Sequence, residues 1–186
     1  MASFTRKAIK ETFLALLEER PLNGITIKDI VEKCGINRNS FYYHYQDLPA
    51  LIEEIIKEEA EAIIQKYPSV TTIVECYDAI AEFASHRKRP IMHIYSSVSR
   101  EVFERNLMTI CEYFVRSYVE TALAEKDIPP QDRQTVIDYY KCVCFGLIID
   151  WLNNGMKDEQ AQSIRRIFLL KKDLAVEIAR QLQGQV

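Results

Sequence analysis

The sequence predicts an all-α protein with a small N-terminal three-helix helix-turn-helix head and a larger C-terminal helical body, about nine helices in all. Hydrophobic residues make up 48% of the 186 residues, and the chain contains only five Gly and six Pro. Apolar residues recur at helical spacing over long segments, and Pro, Gly and Asn stand between those segments. The chain is therefore long enough to bury a substantial core in one or two small domains.

The first predicted helix spans residues 3–19 and has a basic start. Arg6, Lys7 and Lys10 cluster there, and Arg6 and Lys10 are four residues apart on one face. This cluster fits either a solvated charged face or a basic end that lies against a DNA backbone, and the motif that follows favours DNA. The apolar stripe of the helix consists of Ile9, Phe13, Leu16 and Leu17.

Residues 26–47, TIKDIVEKCGINRNSFYYHYQD, predict two short helices joined by a tight turn. Thr26 and Asp29 have the spacing of a capping box at the start of the first helix. Gly35 stands where a left-handed residue would end that helix, and Asn37 can cap the second. The stretch therefore has the layout of a helix-turn-helix unit.

The second helix of this unit has an outer face rich in basic, amide and phenol groups, while Phe41 and Tyr45 are expected to pack inward. Arg pairs with guanine, Asn with adenine, and hydroxyl and imidazole groups with phosphate. Ordinary surface residues on a helical hairpin are the alternative, but exposed rings beside Arg and Asn, with few acids, favour DNA binding. The predicted DNA contacts are Thr26, Lys28, Arg38, Asn39, Ser40, Tyr42, Tyr43 and His44.

The segment GITIKDIVEKCGINRNSFYYHYQDLPALI resembles the helix-turn-helix signature of the TetR/AcrR family of bacterial transcription regulators. The resemblance continues in the length, helicity and GLIIDWLNNGM element of the remainder. It implies a DNA-binding domain at 1–47, a connecting helix at 48–66, and an effector-binding and dimerisation domain at 67–186. Leu48 stands where the family usually has a phosphate-binding Lys, which implies a lower DNA affinity.

The connecting helix is predicted to be capped by Asp47, with an acidic exposed side that includes Glu54 and Glu58. We interpret that side as a solvated face. The final helix is predicted to be capped by Asp158. The helices of the C-terminal body are predicted at 70–87, 89–97, 99–126, 130–154 and 158–183.

The last two predicted helices carry more apolar surface than one packing partner requires. Completing the core of a single subunit is one interpretation, and pairing with a second subunit is the other. The resemblance implies a four-helix interface made by these helices in a homodimer. The predicted interface residues are Phe145, Ile148, Trp151, Leu152, Ile167 and Leu170.

The middle helices carry aromatic and His side chains with polar tips. Such residues are common in cores, but an apolar wall with a few polar tips is also typical of a small-molecule site. The resemblance favours an effector pocket for an unknown small molecule. The residues proposed to line it are Phe83, His86, His93, Tyr95, Tyr113 and Tyr139.

No catalytic residue, cofactor or metal site is predicted. The sequence contains no Gly-rich phosphate loop, HExxH or nucleophile elbow, and Cys142 and Cys144 would point to opposite sides of a helix. The net charge of −3, the five scattered Cys, and the absence of a signal peptide or membrane-length apolar run predict a cytoplasmic protein with reduced thiols. In a bacterium it would be associated with the nucleoid when bound to DNA.

Together these features predict a regulator, most often a repressor in this family, that binds a palindromic double-stranded DNA operator as a homodimer. A small-molecule effector would release it. The alternative is a regulator or coactivator with the same fold that is controlled by a protein partner rather than by a small ligand.

Overall fold

The computed structural model describes residues 2–67, 72–97 and 100–171, together with residues 177 and 181. Over these residues the chain forms nine α-helices and a short 3-10 turn at Leu22–Gly24, with no strand, which confirms the all-α prediction. The helices are α1 (Ala2–Glu19), α2 (Ile27–Cys34), α3 (Arg38–His44), α4 (Leu48–Lys66), α5 (Ile73–His86), α6 (Lys88–Tyr95), α7 (Arg100–Ala122), α8 (Pro130–Asn153) and α9 (Asp158–Leu170).

Three predicted helix caps are confirmed by hydrogen bonds. Thr26 and Asp29 form a capping box: the Thr26 N–H donates to Asp29 Oδ2 at 2.8 Å, and the Asp29 N–H donates to Thr26 Oγ1 at 3.3 Å. Asn37 Oδ1 accepts from the Ser40 N–H at 2.8 Å. Asp47 Oδ1 accepts from the Ala50 N–H, also at 2.8 Å. These bonds satisfy donors that a helix start leaves without partners.

The turn between α2 and α3 requires a left-handed residue, as predicted. Gly35 has φ +72°, and the N–H that follows, from Ile36, donates to the Val31 carbonyl at 3.0 Å. This closure fixes the direction in which the chain enters α3.

The start of α9 differs from the prediction. Lys157 precedes the helix without a side-chain cap bond, and Asp158 lies in its first turn. A carboxylate there is still favourable, because the helix dipole is positive at that end. Most of the predicted continuation of α9 to residue 183 lies outside the described residues, as does the predicted start of α7 at residue 99.

The chain forms two compact units, Met1–Glu59 with Arg87–Arg105 (unit 1) and Ala60–His86 with Asn106–Val186 (unit 2). The predicted division at residue 67 assigned α6 to the C-terminal domain, whereas the structure includes α6 in unit 1. The reason is packing: Ile94 of α6 is buried in the same apolar cluster as α1 to α4.

Unit 1 has an apolar core built from the predicted apolar stripes. Ile9, Phe13 and Leu17 of α1 are fully buried, as are Ile30 of α2 and Phe41 of α3. The inward orientation predicted for Phe41 and Tyr45 is confirmed, because their exposed fractions are 0% and 3%. Burying these side chains turns the polar side of α3 outward.

Unit 2 buries parts of α5, α7, α8 and α9. Tyr77 on α5 donates a hydrogen bond from its hydroxyl to the Ala161 carbonyl at 3.1 Å. Arg165 on α9 forms a two-pronged ion pair with Asp78, with its Nε 2.9 Å from Oδ1 and its Nη2 3.1 Å from Oδ2. These contacts fix α9 on α5. None of the helices in the described ranges combines the length and apolar character that a membrane span needs.

Candidate nucleic-acid interface

The exposed side chains of α3 form one polar surface, which we call the recognition face: Arg38, Asn39, Tyr42 and Tyr43. Tyr42 is 53% exposed and Tyr43 is 79% exposed, so both rings are accessible to an external partner. Tyr42 packs edge-on against buried Phe41, with ring centroids 5.7 Å apart. The core therefore holds the α3 backbone while the face stays open to solvent.

Two predicted DNA contacts, Thr26 and Ser40, already have partners within the head. The Thr26 hydroxyl donates to Asp29 Oδ2 at 2.6 Å, and the Ser40 hydroxyl donates to Asn37 Oδ1 at 3.1 Å. The hydrogen bonds from Thr26, together with Arg20, lower the pKa of Asp29 to about 2. His44 is half-buried and lies edge-on to Tyr43 at 5.0 Å. Thr26 and Ser40 thus also position the helices that carry the recognition face.

Arg38 differs electrostatically from every other Arg or Lys in residues 2–47. It is exposed and forms no ion pair with any residue that the structure describes. Each of the others lies within 3.7 Å of a carboxylate oxygen: Arg6, Lys7, Lys10, Arg20, Lys28 and Lys33. Lys28, a predicted DNA contact, pairs with Glu32 through a weak exposed contact at 3.7 Å. A contact between Arg38 and an anionic or guanine partner would therefore not require an ion pair to be broken first.

Arg6 and Lys10 do not have the open orientation toward a DNA backbone that was expected from the sequence. Arg6 Nε donates to Glu54 Oε1 at 2.8 Å, and Lys10 Nζ lies 2.7 Å from Glu54 and 2.6 Å from Glu58. Tyr45 donates its hydroxyl to Glu54 Oε1 at 2.9 Å. Arg6 and Lys10 of α1 thus bind Glu54 and Glu58 of α4, so this part of α4 is not merely a solvated acidic face.

Glu54 is the centre of this network. Burial by itself would raise the pKa of Glu54, but hydrogen bonds from Arg6, Lys10 and Tyr45 outweigh burial and lower that pKa to about 2. A carboxylate with a lowered pKa stabilises the fold above its ordinary pKa of 4.5 and loses that contribution as the pH falls toward 2. The network therefore holds α1 against α4 at neutral pH.

We expect Glu54→Gln to lower the free energy of unfolding by on the order of 2–3 kcal/mol at pH 7, because two cations lose a half-buried charge partner. The difference from the parent protein should shrink as the pH falls from about 4.5 to about 2. Urea unfolding at several pH values measures both effects. Glu58→Gln is the matched control: its side chain is 51% exposed, so its loss should cost less than about 1 kcal/mol. Equal losses for the two variants at pH 7 would contradict the central role of Glu54.

A second link, which sequence reasoning missed, fixes α6 to α1. The Leu17 carbonyl near the end of α1 would normally accept from the residue four positions on, but that residue is Pro21, which has no N–H. His93 of α6 supplies the donor instead, with Nδ1 2.7 Å from the Leu17 oxygen. The proline after α1 was the available signal, since it leaves a helix carbonyl that needs a partner from elsewhere.

The six residues proposed to line an effector pocket are divided between the two units. His93 and Tyr95 lie in unit 1, where Arg100 donates to the Tyr95 hydroxyl at 2.6 Å. In unit 2, Phe83 and Tyr113 are half-buried, whereas His86 and Tyr139 are exposed. The structure therefore does not gather all six within one unit.

The residues predicted for the dimer interface fall into two groups. Ile148, Trp151 and Leu152 are at most 4% exposed within a single chain, and the Trp151 Nε1–H donates to the Lys157 carbonyl at 3.0 Å. Within a single chain these three side chains belong to the core of unit 2, and their place in a dimer interface stays a prediction. Ile167 and Leu170 remain open, with exposed fractions of 48% and 75%, and Phe145 is half-buried.

Three of the four cysteine side chains in unit 2 are core groups, whereas Cys142 is exposed. Cys76, Cys111 and Cys144 are buried, and burial raises the pKa of each thiol, that of Cys144 to about 12. They therefore stay protonated and unreactive. Over the described residues, no group of three or more His, Cys, Asp or Glu has an arrangement that could hold a metal ion.

Two family models match this chain. One, described as "Bacterial regulatory proteins, tetR family", matches residues 11–55, which include α2 and α3. The other, described as "Transcriptional regulator C-terminal region", matches residues 71–173. Together they cover both the segment that carries the recognition face and most of the helical body.

The chain is also similar to individual proteins, at sequence identities of 24% or less. An uncharacterized HTH-type transcriptional regulator of Bacillus subtilis (strain 168), YxbF, is 24% identical over 155 residues, which cover 78% of this chain and 39% of that protein. The chain thus matches less than half the length of this relative. The solved structure of the dihydroxyacetone kinase operon activator DhaS superposes with a TM-score of 0.61 at 17% identity, covering 98% of this chain and 96% of that chain. At that identity the likeness concerns the fold alone.

Proposed function

Because the chain belongs to the TetR family of bacterial transcriptional regulators, we propose that it binds a palindromic DNA operator as a homodimer through the recognition face. The observation that carries this proposal is the state of α3: an unpaired Arg38 beside Asn39 and two exposed tyrosines, on a helix that caps and core packing hold in place. A short helix of this composition fits the major groove. Lys28, Ser40 and His44 would add phosphate contacts at its edges.

The homodimer part of the proposal is supported by the end of α9. Ile167, Leu169 and Leu170 are 48%, 45% and 75% exposed, which leaves an apolar surface that a second copy would cover. A dimer would carry two recognition faces. Matching adjacent half-sites requires the two faces to lie about 34–36 Å apart, or a multiple of that distance.

The effector part of the proposal is supported by one side chain in unit 2. The Tyr140 hydroxyl is buried and has no hydrogen-bond partner among the described residues. Leaving such a group without a partner costs free energy, so a polar atom of a bound ligand would be favourable there. Tyr118 packs edge-on to Tyr140 at 6.3 Å and would form part of the wall.

Tyr140→Phe should raise the free energy of unfolding by up to about 1 kcal/mol, because it removes a buried hydroxyl without removing a hydrogen bond. Tyr77→Phe is the matched control, since it loses the bond to the Ala161 carbonyl and should lower stability by about 1 kcal/mol. Thermal and urea unfolding of both variants measure this difference in sign. A destabilised Tyr140→Phe would mean that the hydroxyl has a hydrogen-bond partner in the free protein. Tyr140 would then no longer support an effector site.

We propose repression as the sign of regulation, with release of the operator when an effector favours a dimer whose recognition faces are wrongly spaced. The alternative is an activator or coactivator under the control of a protein partner. That alternative is suggested by DhaS, which shares the fold and is an operon activator. Transcription from the bound promoter, measured with and without the protein, separates the two signs. We further propose that the protein acts in the cytoplasm without enzymatic activity.

Selection of bound sequences from a random duplex pool tests the DNA-binding proposal. Purified full-length protein should enrich one motif whose two halves are inverted repeats, with centres about 10–10.5 base pairs apart or a multiple of that spacing. An enriched motif without inverted symmetry would contradict the dimeric arrangement. Recovery of no motif at all would contradict specific DNA binding.

Leu48→Lys should tighten binding to the selected duplex and steepen its salt dependence. Leu48 begins α4, next to a head in which most cations already have carboxylate partners. Each new phosphate contact should change the slope of log K against log salt by about 0.9. Anisotropy titrations at four salt concentrations measure the slope. Leu48→Met is the control and should leave it unchanged. An unchanged slope for the Lys variant would mean that residue 48 does not contact the DNA phosphate backbone.

A further inference from the structure

Unit 1 contains a half-open cavity of about 770 Å³ that the proposed DNA contacts do not use. Its wall comes from the turn that precedes α2, from the first turn of α4, and from α6. The volume lies within the range of small-molecule sites, which is roughly 300–1,000 Å³. It is therefore large enough for a molecule of two or three rings.

The cavity wall is mostly apolar, with a few polar groups. Leu22, Ile25, Ile52 and Met92 provide hydrocarbon surface on three sides. The three apolar residues from the turn and α4 are buried, so their positions are set by the core. Asn23 and Ser96 are exposed at the rim. A preformed apolar wall with sparse polar groups is the usual composition of a ligand site.

His93 gives this wall a defined polarity. Its Nδ1 faces the Leu17 carbonyl at 2.7 Å, and a carbonyl oxygen can only accept, so Nδ1 carries the proton. In the neutral imidazole Nε2 is then an acceptor. Since Nδ1 is occupied, Nε2 is the ring atom left to a ligand in the cavity that His93 lines. The site would therefore prefer a ligand that carries a hydrogen-bond donor.

We propose that this cavity binds a small, mainly apolar molecule with two or three rings and one N–H or O–H donor directed at His93. The ligand would contact the turn before α2, the first turn of α4 and α6 together. Its contacts therefore reach the turn before α2 and the start of α4, which lie on either side of α3 in the sequence, so binding should change the affinity for DNA. Only this last consequence rests on the proposed function; binding itself does not.

N-phenyl-1-naphthylamine is a suitable probe, because it is apolar, carries one N–H, and fluoresces in apolar surroundings. Titration into the full-length protein should give saturable binding that Ser96→Trp weakens at least tenfold by filling the rim of the cavity. Arg89→Trp places the same ring on an exposed part of α6 that does not line the cavity, and it should leave binding within about twofold. Equal binding to the parent protein and to Ser96→Trp would overturn the assignment.

The donor preference gives a second test. The parent protein should bind the amine roughly five- to tenfold more tightly than 1-benzylnaphthalene, its near-isostere without the N–H, in competition titrations. His93→Phe keeps an apolar wall but removes Nε2, so this preference should disappear. A preference that survives in His93→Phe would overturn the role of His93. If that variant does not fold, the preference measured on the parent protein decides: equal affinity for the two compounds overturns it.

The coupling to DNA is measured last, on the duplex enriched by selection. Saturation with that duplex should change the affinity for the probe at least threefold, because linkage between two sites is reciprocal. An unchanged affinity would overturn the regulatory consequence. If selection yields no duplex, the proposed function fails, whereas the two titrations without DNA still decide whether the site exists.

Discussion

Replacing Ile167 and Leu170 together by Glu is expected to convert the protein to monomers and to weaken binding to a palindromic duplex by about 100-fold or more. The two residues are 48% and 75% exposed within one chain, and they are three apart on α9, so they share a face. With two Glu per subunit, the dimer interface would contain four carboxylates. These would lose their water on association and repel one another. Without the dimer, the second half-site must be bound as a separate event, which loses the gain from effective concentration.

Sedimentation equilibrium measures the mass and fluorescence anisotropy measures the affinity of the same samples. Gln162→Glu is the matched control, because it adds an exposed charge to α9 without removing an apolar side chain. Trp151 is unsuitable for this experiment, since it is 2% exposed and a charge there would unfold unit 2. A parent protein that is monomeric at micromolar concentration yet binds a palindrome tightly would refute the dimer.

Arg38→Ala is expected to weaken binding to the selected duplex by about 1–3 kcal/mol, or roughly 5- to 150-fold, and to relax the preference at one base position. The physical reason is that Arg38 is exposed and has no ion-pair partner among the described residues, so a contact with DNA breaks no existing ion pair. Selection repeated with the variant locates the affected base pair.

Lys33→Ala is the control for loss of one positive charge from the same head. Lys33 lies on α2, outside the recognition face, and its Nζ is 2.5 Å from a carboxylate oxygen of Glu19 on α1. Loss of the Lys33 charge should therefore change the affinity for DNA less than about threefold. Equal losses for the two variants would mean that Arg38 contributes only net charge. An unaffected Arg38→Ala would remove α3 from the interface.

Local features of this fold were readable from the sequence because their partners are near in the chain. The caps by Thr26, Asn37 and Asp47, and the left-handed Gly35, each depend on residues at most five positions away. The recognition face followed from the same logic, since inward Phe41 determines which α3 side chains point outward.

The features that the sequence did not reveal depend on distant partners. Arg6 and Lys10 have the same four-residue spacing as Glu54 and Glu58, but nothing local indicates that the two pairs meet. On α8, apolar composition could not distinguish a core side chain from an interface side chain. Trp151 lies in the core, since it is 2% exposed, and its indole N–H donates to the Lys157 carbonyl in the turn that follows α8.

We infer that α3, with the start of α2, is the surface that contacts DNA. Amide chemical-shift changes in ¹⁵N-labelled, deuterated protein on titration with the selected duplex test it most directly. We predict the largest changes at residues 26–28 and 37–44, and small changes at Glu82, Ser85 and His86 of unit 2. Unchanged amides at 37–44, with saturable changes elsewhere in the chain, would contradict it.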